Sequence, residues 1–453
     1  MRRHLTIAVA GLLLVAACTS GDDGGSSAGS DGTDGPVASE ATAPSATFPP
    51  DPRADGVTED TITLGVTYVD LESLGDIVDI DHGDYEAAYQ AVADDINASG
   101  GINGRQLELE FAPVTPIGTD SSDAACTRLT EDLGVFAVLG FMIDDAPLCY
   151  VDLHDTPAIG GLITQERLDR ATAPWFSNVA GAESVASRLV AAFADDGAFE
   201  GATVGVISLA ADQAVMEDVT IPTLEERGIE VADQAVIDVP DNDQTAALAQ
   251  VGVIAERFQA AGVDTVVTVA NAALTTAQGL ENTGFRPRLL ATGFESLAAY
   301  TNAEGGFDET VVEDALTGGY ATSTAQYEDP LMQDCAAIVE TATGETLPDP
   351  AEVAPGDPEP FVSVYAACMQ LNLFAQIAEA AGDQLDNGTF GQAGYTLGEI
   401  ELPGAGGPAT YGPDSLDGNM PIYLLRLDAA EGRLVSDLEP TGRAGMTSLR
   451  SVG

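Results

Sequence analysis

The chain has 453 residues, and its 73 acidic and 16 basic side chains give a formal net charge of -57. The basic residues are all arginine, because the sequence contains no lysine. So acidic a surface repels phosphate groups and anionic lipid heads, which argues against nucleic acid and lipid head groups as binding partners. We interpret the charge as a solvated acidic shell, which does not by itself identify a ligand.

The N-terminus has the pattern of a secretory signal peptide over residues 1–17. Arg2 and Arg3 precede an apolar run over 5–17, which is shorter than the roughly 20 residues that span a bilayer. The run ends in Val15-Ala16-Ala17-Cys18, which resembles the bacterial lipobox and implies lipidation of Cys18. Two or more acyl chains would hold the protein at the extracytoplasmic face of the cell membrane. The alternative is an ordinary signal peptide with an incidental Cys18.

Residues 18–56 are predicted to be the lipidated cysteine and a linker. Beyond Cys18 this segment is rich in Gly, Ser, Asp, Thr, Ala and Pro and has almost no apolar side chains, so we expect it to be disordered. The remaining chain, of about 400 residues, exceeds what one hydrophobic core normally holds and predicts two lobes.

Strand and helix patterns alternate after the linker. Apolar runs predict strands over 62–69, 106–112, 135–140 and 157–160. Apolar stripes predict one helix that begins near Tyr85 and stops at Gly100-Gly101, and another near 123–133. Strands that are apolar on both faces, with helices between them, indicate a parallel sheet covered on each side.

The same alternation begins again near residue 185. Predicted strands lie over 203–209, 229–237, 265–270 and 289–291, and predicted helices over 185–193, 213–227, 248–258 and 274–283. Pro222 should kink or shorten the helix that contains it. The fold class is therefore α/β, with two doubly wound, Rossmann-like lobes.

The pattern is less regular beyond Thr317. A Pro-rich stretch over 348–360 precedes a helix whose apolar stripe runs from Val364 to Ala378. The tail over 395–435 is rich in Gly and Pro and contains one strand, over 422–427. We interpret it as hinge and sheet-edge material rather than a third domain.

Four cysteines remain if Cys18 carries lipid, an even number in an oxidising compartment. Sequence order favours the pairs Cys126 with Cys149 and Cys335 with Cys368, although sequence alone does not fix the connectivity. We expect no metal and no cofactor, because no Cys-x-x-Cys spacing occurs and the three histidines, His4, His82 and His154, are scattered.

Residues 93–105, which read ADDINASGGINGR, resemble the E-x-I-N-x-x-G-G-V-N-G-R signature of type I periplasmic binding proteins of the branched-chain amino acid class. The pair Cys126 and Cys149 resembles the N-lobe disulfide of that family. Residues 263–267 with 281–285, and 410–413 through 424, resemble its C-lobe and C-terminal segments. The resemblance covers about 57–435.

The resemblance implies two lobes that are joined by three crossovers and close on a ligand by a hinge motion. We expect an N-lobe of 57–181 plus about 323–385, and a C-lobe of 182–322 plus about 386–453. The implied function is capture of a small polar ligand (an amino acid, amide or similar metabolite) by a monomer that delivers it to an ABC transporter permease. The alternative is a ligand sensor or receptor, without a transport role, that uses the same fold.

Ligands of open α/β sheets bind beyond the carboxyl ends of the strands. The loops at those ends contain aromatic, acidic, amide and small residues that are candidates for ligand binding. The candidates are Tyr68, Asp70, Phe141, Met142, Gly161, Ala211, Asp212, Asn271 and Glu295.

The sequence departs from the amino acid binders at three of these loops. Phe141-Met142-Ile143-Asp144 stands where the family has a hydroxyl-rich loop, Ala211-Asp212-Gln213 where it has a tyrosine, and Ala272 where it has an acidic residue. These departures leave open a different or larger ligand, or a protein that has lost transport.

An enzyme is not expected. The one Gly-x-Ser-x-Gly match, residues 25–29, lies in the predicted linker and not in a strand-to-helix elbow, and the sequence has no His-Glu-x-x-His motif. Its many carboxylates would be compatible with a paired-carboxylate hydrolase on composition alone.

Overall fold

The structure is a computed structural model that describes residues 47–71, 73, 81–116, 118–238, 243–294, 297–301, 306–353, 357–428 and 433–436. The predicted signal peptide, Cys18 and most of the predicted linker lie outside these residues.

The first sheet consists of five parallel strands in the order β2-β1-β3-β4-β5. These are β1 (Thr61–Val69), β2 (Gln106–Val114), β3 (Ala137–Gly140), β4 (Ala158–Gly160) and β5 (Trp175–Phe176). The helices that follow the first four strands are α1 (Tyr85–Ala98), α2 (Asp120–Thr127), α3 (Ala146–Leu148) and α4 (Gln165–Leu168). Ile62, Leu64 and Val66 of β1 are fully buried, as expected for a strand covered on both faces.

The glycine-rich segment between α1 and β2 forms the tight reversal that its sequence predicts. Gly100, Gly101 and Gly104 all have positive φ angles, as does Asn103. A Cβ atom on Gly101 would lie 2.0 Å from the Arg105 carbonyl oxygen, so only glycine fits there.

The second sheet has seven strands in the order β14-β13-β10-β9-β8-β6-β7, of which β6 to β10 run parallel. These five strands are β6 (Val204–Leu209), β7 (Val231–Ile237), β8 (Thr265–Thr268), β9 (Arg288–Phe294) and β10 (Leu316–Gly319). The helices of this lobe are α5 (Ala182–Asp195), α6 (Ile221–Glu226), α7 (Gln244–Ala260), α8 (Ala272–Glu281) and α9 (Ala298–Thr301). Two lobes of mixed α/β structure are therefore confirmed.

Pro222 lies inside a continuous helical run over 213–226, which is π-helical over Val215–Thr220 and α-helical over Ile221–Glu226 (α6). A proline has no N–H to donate to the preceding turn, and the π-helical segment lies on the N-terminal side of that missing donor. The predicted helix is therefore altered at Pro222 and is not ended by it. Other π-helical and 3₁₀ segments are Arg128–Asp132, Cys149–Leu153, Ala210–Asp212, Glu309–Val311 and Pro350–Glu352.

The chain then returns to the first lobe. The returning elements are α10 (Ser323–Tyr327), α11 (Pro330–Thr343), α12 (Phe361–Ala381), α13 (Asn387–Tyr395), β11 (Gly398–Ile400) and β12 (Ala409–Tyr411). Among the described residues, α12 alone is long and apolar enough to cross a membrane, but 67% of its most apolar window is buried inside the molecule. It is the central helix of the first-lobe core.

The predicted boundary at residue 385 is wrong. Phe390 of α13 packs edge-on against Phe136 and Phe176 of the first lobe, and Ala409 and Leu416 belong to the same hydrophobic core. Only the last strands, β13 (Tyr423–Asp428) and β14 (Arg433–Ser436), join the second sheet, where they pair antiparallel at its edge.

Both expected cysteine pairs are formed in the structure. Cys126 of α2 is bonded to Cys149, with 6.3 Å between their Cα atoms. Cys335 of α11 is bonded to Cys368 of α12, with 6.1 Å between Cα atoms. Both disulfides therefore lie in the first lobe.

Candidate functional site

The carboxyl ends of the two parallel sheets lie near each other because a short segment connects them. Residues 177–181 join the end of β5 to the start of α5, and a segment of this length spans at most about 20 Å. A helix that precedes a parallel strand runs against it, so α5 begins at the carboxyl end of the second sheet. The loops at both carboxyl ends therefore flank the same connection, and we call the space between them the crevice.

Three chain segments pass between the lobes: residues 177–181, 320–322 and 412–422. They are hydrogen-bonded to one another and to their flanking strands. The Ala180 N–H donates to the Tyr320 hydroxyl at 2.5 Å, and the Ser177 N–H donates to the Leu416 carbonyl at 2.8 Å. The Tyr411 hydroxyl donates to the Ser177 carbonyl at 2.9 Å. We call these three segments the hinge.

Arg188 of α5 is buried at the hinge and is only partly paired. Arg188 is 9% exposed and its Nη2 donates to the Met420 carbonyl, while Nε and Nη1 have no hydrogen-bond partner among the described residues. Burial lowers the pKa of Arg188, and Tyr320 and Asp417 act in the opposite direction. Asn178 of the hinge is also buried, and within the part of the chain that the structure describes its Oδ1 has no hydrogen-bond partner.

Tyr68 and Asp70 follow β1 at the crevice, but both already have partners within the first lobe. The Tyr68 ring stacks on Tyr85, with 5.7 Å between centroids, and its hydroxyl donates to Glu86 Oε1 at 2.7 Å. Burial and the Glu86 carboxylate raise the pKa of Tyr68. The Asp70 carboxylate accepts from the Ser73 N–H at 3.0 Å.

Phe141, Met142 and Gly161 lie at the ends of β3 and β4. Phe141 is partly exposed and its N–H donates to the Thr67 carbonyl at 2.9 Å. Met142 is 8% exposed and packs in the core beneath the loop, so it supports the crevice more than it lines it. Gly161 has a positive φ angle, and its carbonyl accepts from the Ser177 hydroxyl at 2.7 Å.

The second lobe brings two of the predicted residues into contact. Asp212 ends the turn after β6, and Asn271 follows β8, which pairs with β6. Asp212 Oδ2 accepts from the Asn271 N–H at 3.3 Å and from its Nδ2 at 3.5 Å. Burial raises the pKa of Asp212, and the two Asn271 bonds oppose this shift. Ala211 is exposed beside them.

Two predicted residues, Glu295 and Cys18, lie outside the described residues. Two apolar side chains at the crevice were missed: Leu162 is 44% exposed and Val179 is 38% exposed. Leu162 continues the apolar run after the turn at Gly161, which is a signal that the sequence does contain. Val179 has no such signal, because its exposure depends on the path of the hinge.

One group of potential metal ligands occurs among the described residues, away from the crevice. The Cys126 and Cys149 sulfurs and a His154 ring nitrogen lie within 4.8 Å of one another. Both sulfurs belong to a disulfide, whereas the thiolate is the form of cysteine that binds metal. The group therefore does not fit a metal in this state.

A family model described as periplasmic binding protein matches residues 77–433 of the chain. No curated protein matches it. The solved structures agree on the fold. An ABC transporter substrate-binding protein from Desulfitobacterium hafniense in complex with Leu is 18% identical, with a TM-score of 0.56, over 83% of this chain and 100% of that one.

Two further structures are similar at the same level. A solute-binding protein of an ABC transporter from R. palustris, in complex with 4-hydroxybenzoate, is 15% identical, with a TM-score of 0.54, over 83% of this chain and 95% of that one. A leucine-, isoleucine-, valine-, threonine- and alanine-binding protein from Brucella ovis, in a closed conformation, is 15% identical, with a TM-score of 0.53, over 81% and 90%.

Proposed function

This chain belongs to the periplasmic binding protein family, and we propose that it is a lipid-anchored, extracytoplasmic binding protein that captures a small molecule between its lobes and delivers it to an ABC transporter permease. The match over 77–433 establishes the family, and the solved structures agree on the fold. The anchor, the delivery and the residues that contact the ligand are our proposal.

The proposal rests on one feature of the fold: the carboxyl ends of two separate parallel sheets flank the crevice beside a hinge of three chain segments. Each sheet has its own hydrophobic core, so the lobes can move as units. The hinge segments are short and bonded to one another, so rotation about them would open or close the crevice. Capture by closure requires this combination.

We propose that the ligand contacts residues from both sides of the crevice. From the first lobe these are Tyr68, Asp70, Phe141 and Gly161, with Met142 as support from beneath. From the second lobe they are Ala211, Asp212, Asn271 and Glu295.

A lipid on Cys18 would place the protein at the extracytoplasmic face of the membrane. The first described residues support an attachment through the first lobe. Phe48 packs against Tyr395 of α13, with 5.3 Å between ring centroids, and its N–H donates to Gln392 Oε1 at 3.1 Å. The lipidated segment therefore reaches the folded part of the molecule at α13. A Cys18→Ser variant should appear in the medium, whereas the native chain sediments with membranes.

The test of capture uses the full-length protein extracted from its membrane in detergent. Thermal unfolding is measured against pools of amines, amino acids, organic acids, sugars, nucleosides and amides. A true ligand at 100 times its Kd should stabilise the protein by roughly 2.7 kcal/mol. If no pool raises the midpoint, capture is disproved. Uptake of the ligand by cells with and without the gene then separates delivery from a sensing role.

A further inference from the structure

The first-lobe side of the crevice contains exposed and partly exposed apolar side chains. Leu162 and Val179 are 44% and 38% exposed, and Phe141, Ile143 and Ile163 are each partly exposed beside them. Exposed apolar side chains that share one edge of a folded lobe mark a binding surface for an apolar group. This apolar edge, made of these five residues, is the part of the site that would bind the body of a ligand.

Three polar side chains near the apolar edge already have partners within the first lobe. The Ser177 hydroxyl donates to the Gly161 carbonyl at 2.7 Å, and the Thr164 hydroxyl accepts from the Arg167 N–H at 3.3 Å. The Arg167 guanidinium donates to Asp145 Oδ1 at 2.9 Å and to the Leu162 carbonyl at 3.2 Å. A ligand carboxylate would have to compete with Asp145 for the charge of the Arg167 guanidinium. The chain has no lysine to offer instead.

The second-lobe side of the crevice contains a carboxylate, that of Asp212, which forms no ion pair among the described residues. Asp212 is partly buried, and its only hydrogen bonds within the described residues are the two long ones from Asn271 to Oδ2. No arginine or histidine forms an ion pair with it in the described part of the chain. Oδ1 is neither fully buried nor hydrogen-bonded there. A desolvated carboxylate in this position is stabilised most by a positively charged partner.

We infer that the ligand is a small organic cation with an apolar body, whose ammonium group binds Asp212 and whose hydrocarbon part lies against the apolar edge. This inference rests on the proposed function. Asn271 binds Oδ2 and leaves Oδ1 without a hydrogen bond among the described residues. The net charge of -57 raises the local concentration of cations and lowers that of organic anions, in the same direction as the local contacts.

The experiment compares ligands that share a body and differ in charge. Three hydrocarbon groups, isobutyl, phenylethyl and indolylethyl, are each tested as the amine, the alcohol and the carboxylate. Binding to the full-length protein is measured by calorimetry at pH 7. The amine of the best body should bind at least tenfold more tightly than its alcohol, and the carboxylate should bind least. A carboxylate that binds more tightly than its amine overturns the inference.

Two variants assign the charge preference to one side chain. Asp212→Asn should weaken amine binding about tenfold to a hundredfold, as expected when a charge-assisted hydrogen bond is lost, and should leave alcohol binding within twofold. Asp218→Asn is the control, because it removes the same charge from an exposed position six residues away. Equal losses in both variants would show a general field effect and overturn the assignment to Asp212.

The thermal unfolding screen described above distinguishes failure of the cation inference from failure of the proposed capture function. If a sugar, amide or organic acid from the wider pools is the solute that stabilises the protein, capture stands and the cation is wrong. If no solute of any class stabilises it, both are wrong.

Discussion

The two lobes share one architecture but differ in how they are held together. The first lobe contains both disulfides and an aromatic cluster of Phe136, Phe374 and Phe390, whose ring centroids lie 5.5 to 6.3 Å apart. The second lobe has no cysteine, and its cores are mostly valine, leucine, isoleucine and alanine. The two lobes therefore have the same architecture, but of the residues that the structure describes, only those of the first lobe are cross-linked by disulfides and packed around an aromatic cluster.

This difference assigns unequal roles to the lobes. The first lobe, with its cross-links and the segment from Phe48 to Arg53 packed on α13, is the fixed platform. The second lobe is joined to it by the hinge and by bonds beside it, from the Gln165 N–H to Glu183 Oε2 at 3.2 Å and from the Tyr423 hydroxyl to the Gly406 carbonyl at 2.7 Å. At the hinge, Arg188 and Asn178 have polar atoms without a hydrogen-bond partner among the described residues. Under the proposed function, we expect closure to move the second lobe toward the first-lobe edge and to leave the fold of the first lobe unchanged.

The largest expected effect is on the aromatic cluster. Phe390→Ala should lower the free energy of unfolding of the first lobe by about 4 kcal/mol, because Phe390 is fully buried among three other rings. Hydrogen exchange should accelerate in the first lobe and not in the second. The matched variant is Phe258→Ala, buried in the second lobe, which should show the reverse pattern. Equal acceleration in both lobes would contradict their independence.

Removal of a disulfide is the next effect in size. Cys335→Ala with Cys368→Ala opens a loop of 33 residues and should cost about 3 kcal/mol. The urea midpoint of the first lobe, followed by hydrogen exchange, should fall while that of the second lobe is unchanged. Cys126→Ala with Cys149→Ala, which opens a loop of 23 residues, should cost slightly less. A loss of stability confined to the second lobe would show that the disulfides do not stabilise the first lobe selectively.

The alternation of strands and helices, and hence the fold class, could be predicted because apolar runs are local features of the sequence. The missed elements lack that signal. In α13, Gly388, Gly391 and Gly394 give a low helix propensity. The structure explains them: a Cβ atom on Gly391 would lie 2.5 Å from the Phe48 ring, and one on Gly394 would lie 2.0 Å from Phe176. These glycines serve contacts with distant segments, which also explains why the lobe boundary was misplaced.

The candidate site could be predicted only as a set of strand ends. Asp212 and Asn271 were both expected at the crevice, but their contact depends on the pairing of β6 with β8, which the order of residues does not reveal. Met142 was expected to face the ligand and is instead buried, because the turn after Gly140 directs Phe141 outward. Tyr68 was expected to be available and stacks on Tyr85.

Substitution of Arg188 tests whether the hinge, in contrast to the cross-linked first lobe, contains polar atoms that lack hydrogen-bond partners among the described residues. Arg188→Met should change the free energy of unfolding by less than about 1 kcal/mol, because removal of a buried, partly paired charge offsets the lost bond to Met420. Chemical denaturation at pH 7 measures it. Arg188→Ala, which also removes the packing of the side chain, should be less stable than Arg188→Met. A loss above 3 kcal/mol in Arg188→Met would show that the guanidinium is fully paired.

The last effect, of about the same size, concerns the segment packed on α13 and should depend on pH. Arg53 pairs with Asp51 at 2.6 Å and with Asp155. Hydrogen bonds from Arg53 lower the pKa of both carboxyl groups below their usual value of 3.8. Groups with a lowered pKa contribute stability that is present above 3.8 and is lost as the pH falls through the folded value. Arg53→Met should therefore cost about 1 kcal/mol at pH 7 and less at pH 3.

Arg105 is the matched control, because its guanidinium donates to two carbonyl groups, those of Thr58 and Asp383, both at 2.8 Å. Carbonyl acceptors do not titrate, so the cost of Arg105→Met should be the same at pH 7 and pH 3. Urea unfolding of both variants against the native chain gives the two differences. A pH-independent cost for Arg53→Met would mean that its carboxylate pairs add nothing to the bracing of the first lobe. The contacts of Phe48 would then hold the segment alone.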